Sequence, residues 1–168
     1  MRLIILGAGG YGRNIADLAE QSDRYDSILF LDDGDTNAAG KCADFHQFFD
    51  ENTEFYAAFG NNALRMNWLK KFLDCGCNVA TIIHPAAYVS PKATVGRGVT
   101  ILPGAIVNTG TLIGDGCIVN CGCIVDHDCV LGEGVHVSPG AIVKAENRIP
   151  ALMKIEAGQV IANRTYPL

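Results

Sequence analysis

The sequence lacks the features that mark nucleic-acid-binding, secreted and membrane-spanning proteins. Lysine and arginine number 13 against 18 aspartates and glutamates, and they form no basic patch, so nucleic-acid binding has no electrostatic basis. The N-terminal apolar run, Leu3 to Leu6, is far too short for a signal peptide or a membrane span. We therefore expect a cytoplasmic protein whose seven cysteines are reduced thiols.

The cysteines also lack the spacing of a metal site. No Cys-x-x-Cys pair occurs, and no nearby histidine completes a usual zinc motif. Cys117, Cys123 and Cys129 instead recur at intervals of six and can serve as small apolar side chains. A buried site of three thiolates is the alternative, but we favour packing and predict no bound metal.

The strongest pattern that is present is an aliphatic residue at every sixth position from Val89 to Ile161. Such a short repeat predicts a parallel β-helix, in which three hexads make one triangular coil. A small or compact residue follows four positions after each aliphatic, without exception from residue 93 to 141. That second position then fails, at Asn147, Met153, Gln159 and Thr165. We therefore expect a β-helix domain at 84–168, regular to about 143 and degenerate after, with Pro150 and Leu152-Met153 interrupting the rungs.

The residues before the repeat alternate between strand and helix patterns. Apolar runs at 2–6, 27–31, 55–59 and 79–83 predict strands, and the stretches 13–21 and 63–74 predict helices. This order predicts a Rossmann-like α/β domain at 1–83 with a largely parallel sheet.

A glycine-rich turn in this domain indicates nucleotide binding. Gly7, Gly9 and Gly12 follow the first strand and precede the first helix, where backbone amides can approach a phosphate. Asp32 ends the second strand, where an acid can bind a ribose hydroxyl. About 80 residues suffice for one mononucleotide-binding half only, so NAD-linked oxidation is a weaker hypothesis. The alternative is that the glycines merely form a tight turn.

The second candidate site is Asp126-His127-Asp128, which follows the inward Val125 and should point outward. A carboxylate neighbour holds one imidazole nitrogen as a donor and leaves the other able to accept a proton, as a general base requires. The alternative is a solvated turn histidine. His136 lies nine residues later, half a coil away, so one rod should carry the two histidines on opposite sides. We therefore expect a homotrimer with sites between subunits.

Taken together, these motifs resemble the bacterial sugar-nucleotide acetyltransferases of the left-handed β-helix (hexapeptide-repeat) superfamily. The resemblance is to the sialic acid O-acetyltransferase and UDP-amino-sugar N-acetyltransferase type. It covers residue 1 to about Ala141 and rests on Gly7-Ala-Gly-Gly-Tyr-Gly12, Leu31-Asp32-Asp33, Gly60-Asn61-Asn62 with Arg65, Ile83-His84-Pro85, Asn120, Val125-Asp-His-Asp-Cys129 and His136-Val-Ser-Pro-Gly140.

The resemblance implies a homotrimeric enzyme that transfers acetyl from acetyl-CoA to an amine or hydroxyl of a nucleotide-linked sugar in bacterial glycan synthesis. It implies His127 as general base, Asp128 as its partner and His136 beside the acetyl group. The other residues it implicates are Gly9, Gly10, Tyr11, Asp32, Asp33, Gly60 and Asn120 for the substrate, and Gly140 and Ala145 for the coenzyme.

The chain departs from this family after Ala141. Relatives continue with several more regular hexads and have a coenzyme-lining glycine where this chain has Ala145 and Glu146. The second hypothesis is therefore a catalytically impaired sugar-nucleotide-binding or regulatory protein with a degraded coenzyme groove.

Overall fold

A computed structural model describes residues 1–167 and divides the chain into two units. The first unit runs from Met1 to Ile82 and the second begins at Ile83. The division falls within the short strand Ile82–Ile83. No helix within residues 1–167 has the length and apolarity needed to cross a membrane.

The first unit is a four-stranded parallel sheet with two α-helices. The strands stand in the order β2-β1-β3-β4, and β1 pairs in parallel with both β2 and β3. The elements are β1 Arg2–Leu6, α1 Gly10–Glu20, β2 Ser27–Leu31, a 3-10 helix Cys42–Phe48, β3 Thr53–Ala57, α2 Asn62–Asp74 and β4 Asn78–Val79. The predicted parallel α/β domain is confirmed. The predicted fourth strand is split, and the 3-10 helix was not predicted.

The strand order places a crevice at one edge of this sheet. The chain passes from β1 to β2 on one side and then returns to β3 on the other side of β1. Ligands of open parallel sheets bind at such a reversal, outside the carboxyl ends of the strands. The turn after β1 and the turn after β3 flank this position, so the glycine-rich segment lies where a ligand is expected.

The second unit is a coil with three faces of short parallel strands. Each strand pairs with the strand 18 residues away, so that Ile118 lies opposite both Thr100 and His136. The first face holds Ile82–Ile83, Thr100–Ile101, Ile118–Val119, His136–Val137 and Lys154–Ile155; the second Tyr88–Val89, Ile106–Val107, Ile124–Val125, Ile142–Val143 and Val160–Ile161; the third Thr94–Val95, Leu112–Ile113, Val130–Leu131 and Arg148–Ile149. The predicted β-helix is confirmed.

The repeated aliphatic residues fill the interior of the coil together with the small residues of the second position. Cys117, Cys123 and Cys129 are buried there. Their thiols donate to the carbonyls of Gly132, Ser138 and Lys144, respectively, at 3.1, 3.0 and 3.3 Å. Within residues 1–167 no group of three metal-ligating side chains could hold an ion. These cysteines therefore join successive coils as well as filling space.

The predicted interruption of the rungs after residue 143 is wrong. The strands Arg148–Ile149, Lys154–Ile155 and Val160–Ile161 continue the three faces in the same register. Pro150 follows Gly96, Gly114 and Gly132 at 18-residue spacing; each of these three glycines donates its N–H to the next coil. Pro150 has no N–H and cannot make this bond, yet the strands on either side of it keep their register.

Asn147 shows why the coil stays regular although the residue at the second position is no longer small. Its side chain is fully buried. Nδ2 donates to the carbonyls of Lys144 and Ala162 at 2.7 and 2.9 Å, and Oδ1 accepts from Tyr166 N at 2.9 Å. Thr111 and Cys129 precede Asn147 at 18-residue spacing, and each also donates to a carbonyl 15 residues ahead. Asparagine thus preserves the hydrogen bond rather than the small volume.

Candidate active site

The candidate catalytic residues lie at the corner between the second and third faces. The chain leaves the second face after Ile124–Val125 and turns through Asp126, His127 and Asp128. Asp128 lies in the left-handed region of this turn, with φ 56°. The side chains of His127 and Asp128 are 47% and 56% exposed. The imidazole therefore points away from the coil interior, as the repeat predicts.

Two carboxylates hold His127, one at its ring and one at its backbone N–H. Asp128 Oδ2 lies 2.8 Å from His127 Nδ1, and because a carboxylate only accepts, Nδ1 carries the proton. Asp126 Oδ1 accepts from His127 N at 2.8 Å and from Asn108 Nδ2 at 3.1 Å. The backbone loop and the ring are both fixed, which leaves Nε2 as the proton-accepting atom.

The electrostatics of this corner favour a basic imidazole. The hydrogen bond to Asp128 raises the pKa of His127 above its ordinary value, and nearby carboxylates add to the effect. Asp126 has a lowered pKa, chiefly because it accepts the His127 backbone N–H. Asp126 is therefore ionised at neutral pH.

His136 lies on the first face, the one opposite the corner that bears His127. Its Nε2 is 3.2 Å from Asn120 Nδ2. Asn120 Oδ1 accepts from Cys121 N at 2.8 Å, which fixes the orientation of the amide. Nδ2 must then donate, so Nε2 of His136 accepts and its proton resides on Nδ1. The structure brings Asn120 and His136 together and places His127 on the other side of the rod.

The glycine-rich turn is sterically constrained at two positions. Gly7 has φ 101°, in the left-handed region. A Cβ on Gly12 would lie 1.9 Å from Gly7 O, so only glycine fits there. A Cβ on Gly9 would meet nothing within 4 Å, and Gly9 caps α1 without a side chain. The first N–H groups of a helix have no acceptor within it. This N-terminus can therefore approach an anion closely.

Asp32 and Asp33 bind backbone amides of the same edge. Asp32 Oδ2 accepts from Ala8 N and Oδ1 from Gly34 N, both at 2.8 Å. These bonds, led by that from Ala8, lower the pKa of Asp32. Asp33 Oδ1 accepts from Cys42 N at 3.0 Å. Asp32 thus joins β2 to the glycine-rich turn and stays ionised, and Asp33 anchors the start of the 3-10 helix.

The remaining predicted substrate residues of the first unit surround the turn after β3 and the start of α1. Gly60 is exposed, and a Cβ there would meet nothing. Tyr11 OH lies 2.7 Å from the buried Tyr56 OH. Gly10 begins α1 and is exposed. Arg65, buried, donates to Phe59 O at 2.8 Å, so it supports the loop of Gly60.

The two residues predicted for the coenzyme lie at different corners. Gly140 has φ 69° and donates to Cys121 O at 2.9 Å at the corner between the first and second faces. Ala145 is buried at the His127 corner, one coil beyond. The sequence reasoning missed two side-chain pairs of this corner, Asn108–Asp126 and Glu146–Arg164. Their 18-residue spacing was the signal that could have revealed them.

Comparisons with known proteins identify relatives that share this fold. Residues 2–72 match the PglD N-terminal domain family. The acetyltransferase domain of PglB from Neisseria gonorrhoeae FA1090 is 34% identical, with a TM-score of 0.93 over 97% of this chain and 83% of that one. Its complex with acetyl coenzyme A gives 35% identity and a TM-score of 0.92, over 97% and 82%. WeeI from Acinetobacter baumannii AYE shares the fold at 18% identity, with a TM-score of 0.75 over 99% and 94%. No curated protein sequence matches.

A glycine-rich α/β unit followed by a hexapeptide-repeat coil defines the class of left-handed β-helix acyltransferases. The chain belongs within that class to the sugar-nucleotide acetyltransferases, which are acetyl-CoA-dependent enzymes. The resemblance inferred from the motifs is thereby confirmed for the family and the fold. The left-handed winding departs from the right-handed rule for parallel crossovers.

Proposed function

We propose that this enzyme acetylates an amine or hydroxyl of a nucleotide-linked sugar, with His127 as the general base. The observation that carries the proposal is the 2.8 Å hydrogen bond from His127 Nδ1 to Asp128 Oδ2 on an exposed corner. The acceptor N–H or O–H attacks the thioester carbonyl while His127 Nε2 takes its proton. The coenzyme thiolate leaves and takes up the proton that His127 Nε2 accepted, which regenerates the base. Positioned base catalysis contributes about 10²–10⁴ in rate.

The nucleotide is proposed to bind at the carboxyl edge of the first unit's sheet. The helix N-terminus at Gly9 and Gly10 suits its phosphates. Asp32, ionised and held by backbone amides, and the nearby Asp33 suit the ribose or base hydroxyls. Tyr11 and Gly60 border the same edge. The acceptor sugar is proposed to contact Asn120, whose amide orientation is fixed.

We propose that the enzyme is a homotrimer, and an apolar column on the second face supports this. Outward-pointing side chains there include Ile106, Ile124 and Ile142, which are half-buried, between Tyr88 and Val160, which are exposed. Such a continuous apolar stripe marks an association surface. It borders the His127 corner, so subunit packing would bring His127 to the His136 face of a neighbour. A cytoplasmic location accords with seven free thiols.

Release of free coenzyme A in the presence of nucleotide amino sugars tests the activity. Wild-type protein should turn over, and His127→Ala should lose at least about 100-fold in kcat. Calorimetry with acetyl-CoA is the second measurement. If acetyl-CoA does not bind at millimolar concentration, the proposed acetyl transfer is rejected and the protein is instead a sugar-nucleotide binder.

Subunit exchange tests whether sites are shared. His127→Ala and His136→Ala proteins are each inactive under the proposal, but mixed trimers regain a fraction of wild-type activity. A mixture that stays inactive although exchange is confirmed by mass would reject a shared site.

A further inference from the structure

The corner that carries His127 differs from the other two corners of the coil. From Gly98 to Arg164, each corner has one residue with positive φ in each coil, and glycine adopts this conformation without strain. The corner between the first and second faces uses Gly104, Gly122, Gly140 and Gly158. The corner between the third and first uses three glycines and Leu152. The His127 corner has only one glycine, and its positive-φ residues are Gly110, Asp128, Glu146 and Arg164.

In three successive coils, a charged residue therefore adopts the left-handed conformation at this corner. A side chain in the left-handed region costs roughly 1–2 kcal/mol per residue. Strain of this kind persists where a function or a surrounding network requires it. Asp128 is explained by its bond to His127. Glu146 and Arg164 lie one and two coils beyond Asp128 and are not explained by it.

Glu146 is connected to His127 through both backbone and charge. Its N–H donates to the carbonyl oxygen of His127 at 3.2 Å. Its carboxylate accepts from Arg164 Nε in an ion pair. The negative charge of Glu146 contributes to the raised pKa of His127, after the hydrogen bond to Asp128 and the charges of Asp126 and Asp128. Arg164 in turn lowers the pKa of Glu146.

We propose that Glu146 and Arg164 are positioning residues for the general base: Glu146 holds the His127 loop from the next coil, and Arg164 holds the Glu146 carboxylate in place. This inference rests on the proposed role of His127. Glu146 and Arg164 carry opposite charges. Removing one or the other should therefore move the pKa of the His127 imidazole in opposite directions. A pair that merely closes the coil would have no such signature.

The test is the pH dependence of kcat/KM, which reports the ionisation of the base in the free enzyme. Glu146→Gln removes a negative charge and should move the acidic limb to lower pH by about a few tenths of a unit at low salt. Arg164→Gln removes a positive charge and frees the carboxylate, so the limb should move to higher pH. Arg164→Lys keeps the charge and should leave the limb in place. Both shifts should shrink in 1 M salt.

Arg97 and Asp115 provide the matched control. They form an ion pair of 2.6 Å with the same 18-residue spacing at the corner between the third and first faces. Arg97→Gln should leave the acidic limb unchanged, although it removes a comparable coil-to-coil contact. Equal shifts in Arg97→Gln and Arg164→Gln would overturn the proposal, because a general change in charge would then explain both.

Direct titration separates this inference from the function itself. The NMR chemical shifts of the His127 ring report its protonation without turnover. If the wild-type protein has no acetyltransferase activity, the proposed function fails, but the shifts of His127 in Glu146→Gln and Arg164→Gln still test the coupling. Unmoved or same-direction titrations in these two variants would reject the positioning role.

Discussion

Replacing Asn147 by alanine tests how the last coil is held. The substitution removes the hydrogen bonds from Nδ2 to Lys144 O and Ala162 O, a longer one to Ala145 O, and the one that Oδ1 accepts from Tyr166 N. A net loss of about 0.5–1.5 kcal/mol for each bond, partly offset where water reaches the freed groups, gives roughly 2–4 kcal/mol. The cost should fall on the segment around Tyr166 because that segment is attached through Asn147.

Hydrogen exchange is the appropriate assay because a chain of two units need not unfold in one transition. The Arg148 amide donates to Tyr166 O at 2.6 Å, so its protection should fall by about 30- to 1000-fold if the segment opens. Amides of the first unit should be unaffected. Asn163→Ala, at an exposed position, makes the same chemical change and should cost less than about 0.5 kcal/mol. Equal protection in both variants would refute the reasoning.

Three further predictions concern the glycine-rich turn, the general base and the formation of trimers. Gly12→Ala places a Cβ 1.9 Å from Gly7 O and should abolish nucleotide binding and destabilise the first unit, as measured by calorimetry and circular dichroism; wild-type affinity would contradict this. Asp128→Asn weakens the hydrogen bond that raises the pKa of His127 and removes the carboxylate charge that adds to it. We therefore expect kcat to fall and the acidic limb of kcat/KM to move to lower pH; an unmoved limb would show that Asp128 does not act on the base. Ile142→Asp places a charge in the apolar column and should convert trimers to monomers in sedimentation, whereas the control Leu112→Asp, at an exposed position on the third face, should not.

The sequence predicted the coil because its cause is local and repeated. Each interior position needs an aliphatic residue at fixed spacing. The spacing alone therefore identifies Val125, Val143 and Ile161 as interior residues. The predicted interruption after residue 143 was wrong because the second position was assumed to require a small side chain. Asn147 satisfies it through hydrogen bonds to carbonyls of its own and the next coil, which no volume pattern detects.

The candidate sites were visible only in part. The triplet at His127 and the glycine-rich turn are continuous in sequence, so their local geometry could be predicted. The bond of Asp32 to Ala8 joins residues 24 positions apart, and no repeat in the first unit indicates it. The ion pair between Glu146 and Arg164 follows the 18-residue spacing of the coil, which becomes informative only once the coil geometry is known. The 3-10 helix Cys42–Phe48 has no apolar periodicity strong enough to identify it.

The spacing of the coil's hydrogen bonds has a consequence for synthesis of the chain. The N–H of Thr100 finds its acceptor at Cys117 O, and the N–H of Ile118 finds its own at Val135 O, each seventeen residues later. The strand amides of a newly synthesised coil therefore have no acceptor until the next coil has been translated. The coils should therefore form in order from the N-terminal end, at the rate of translation, with each coil completed only after the next has been synthesised.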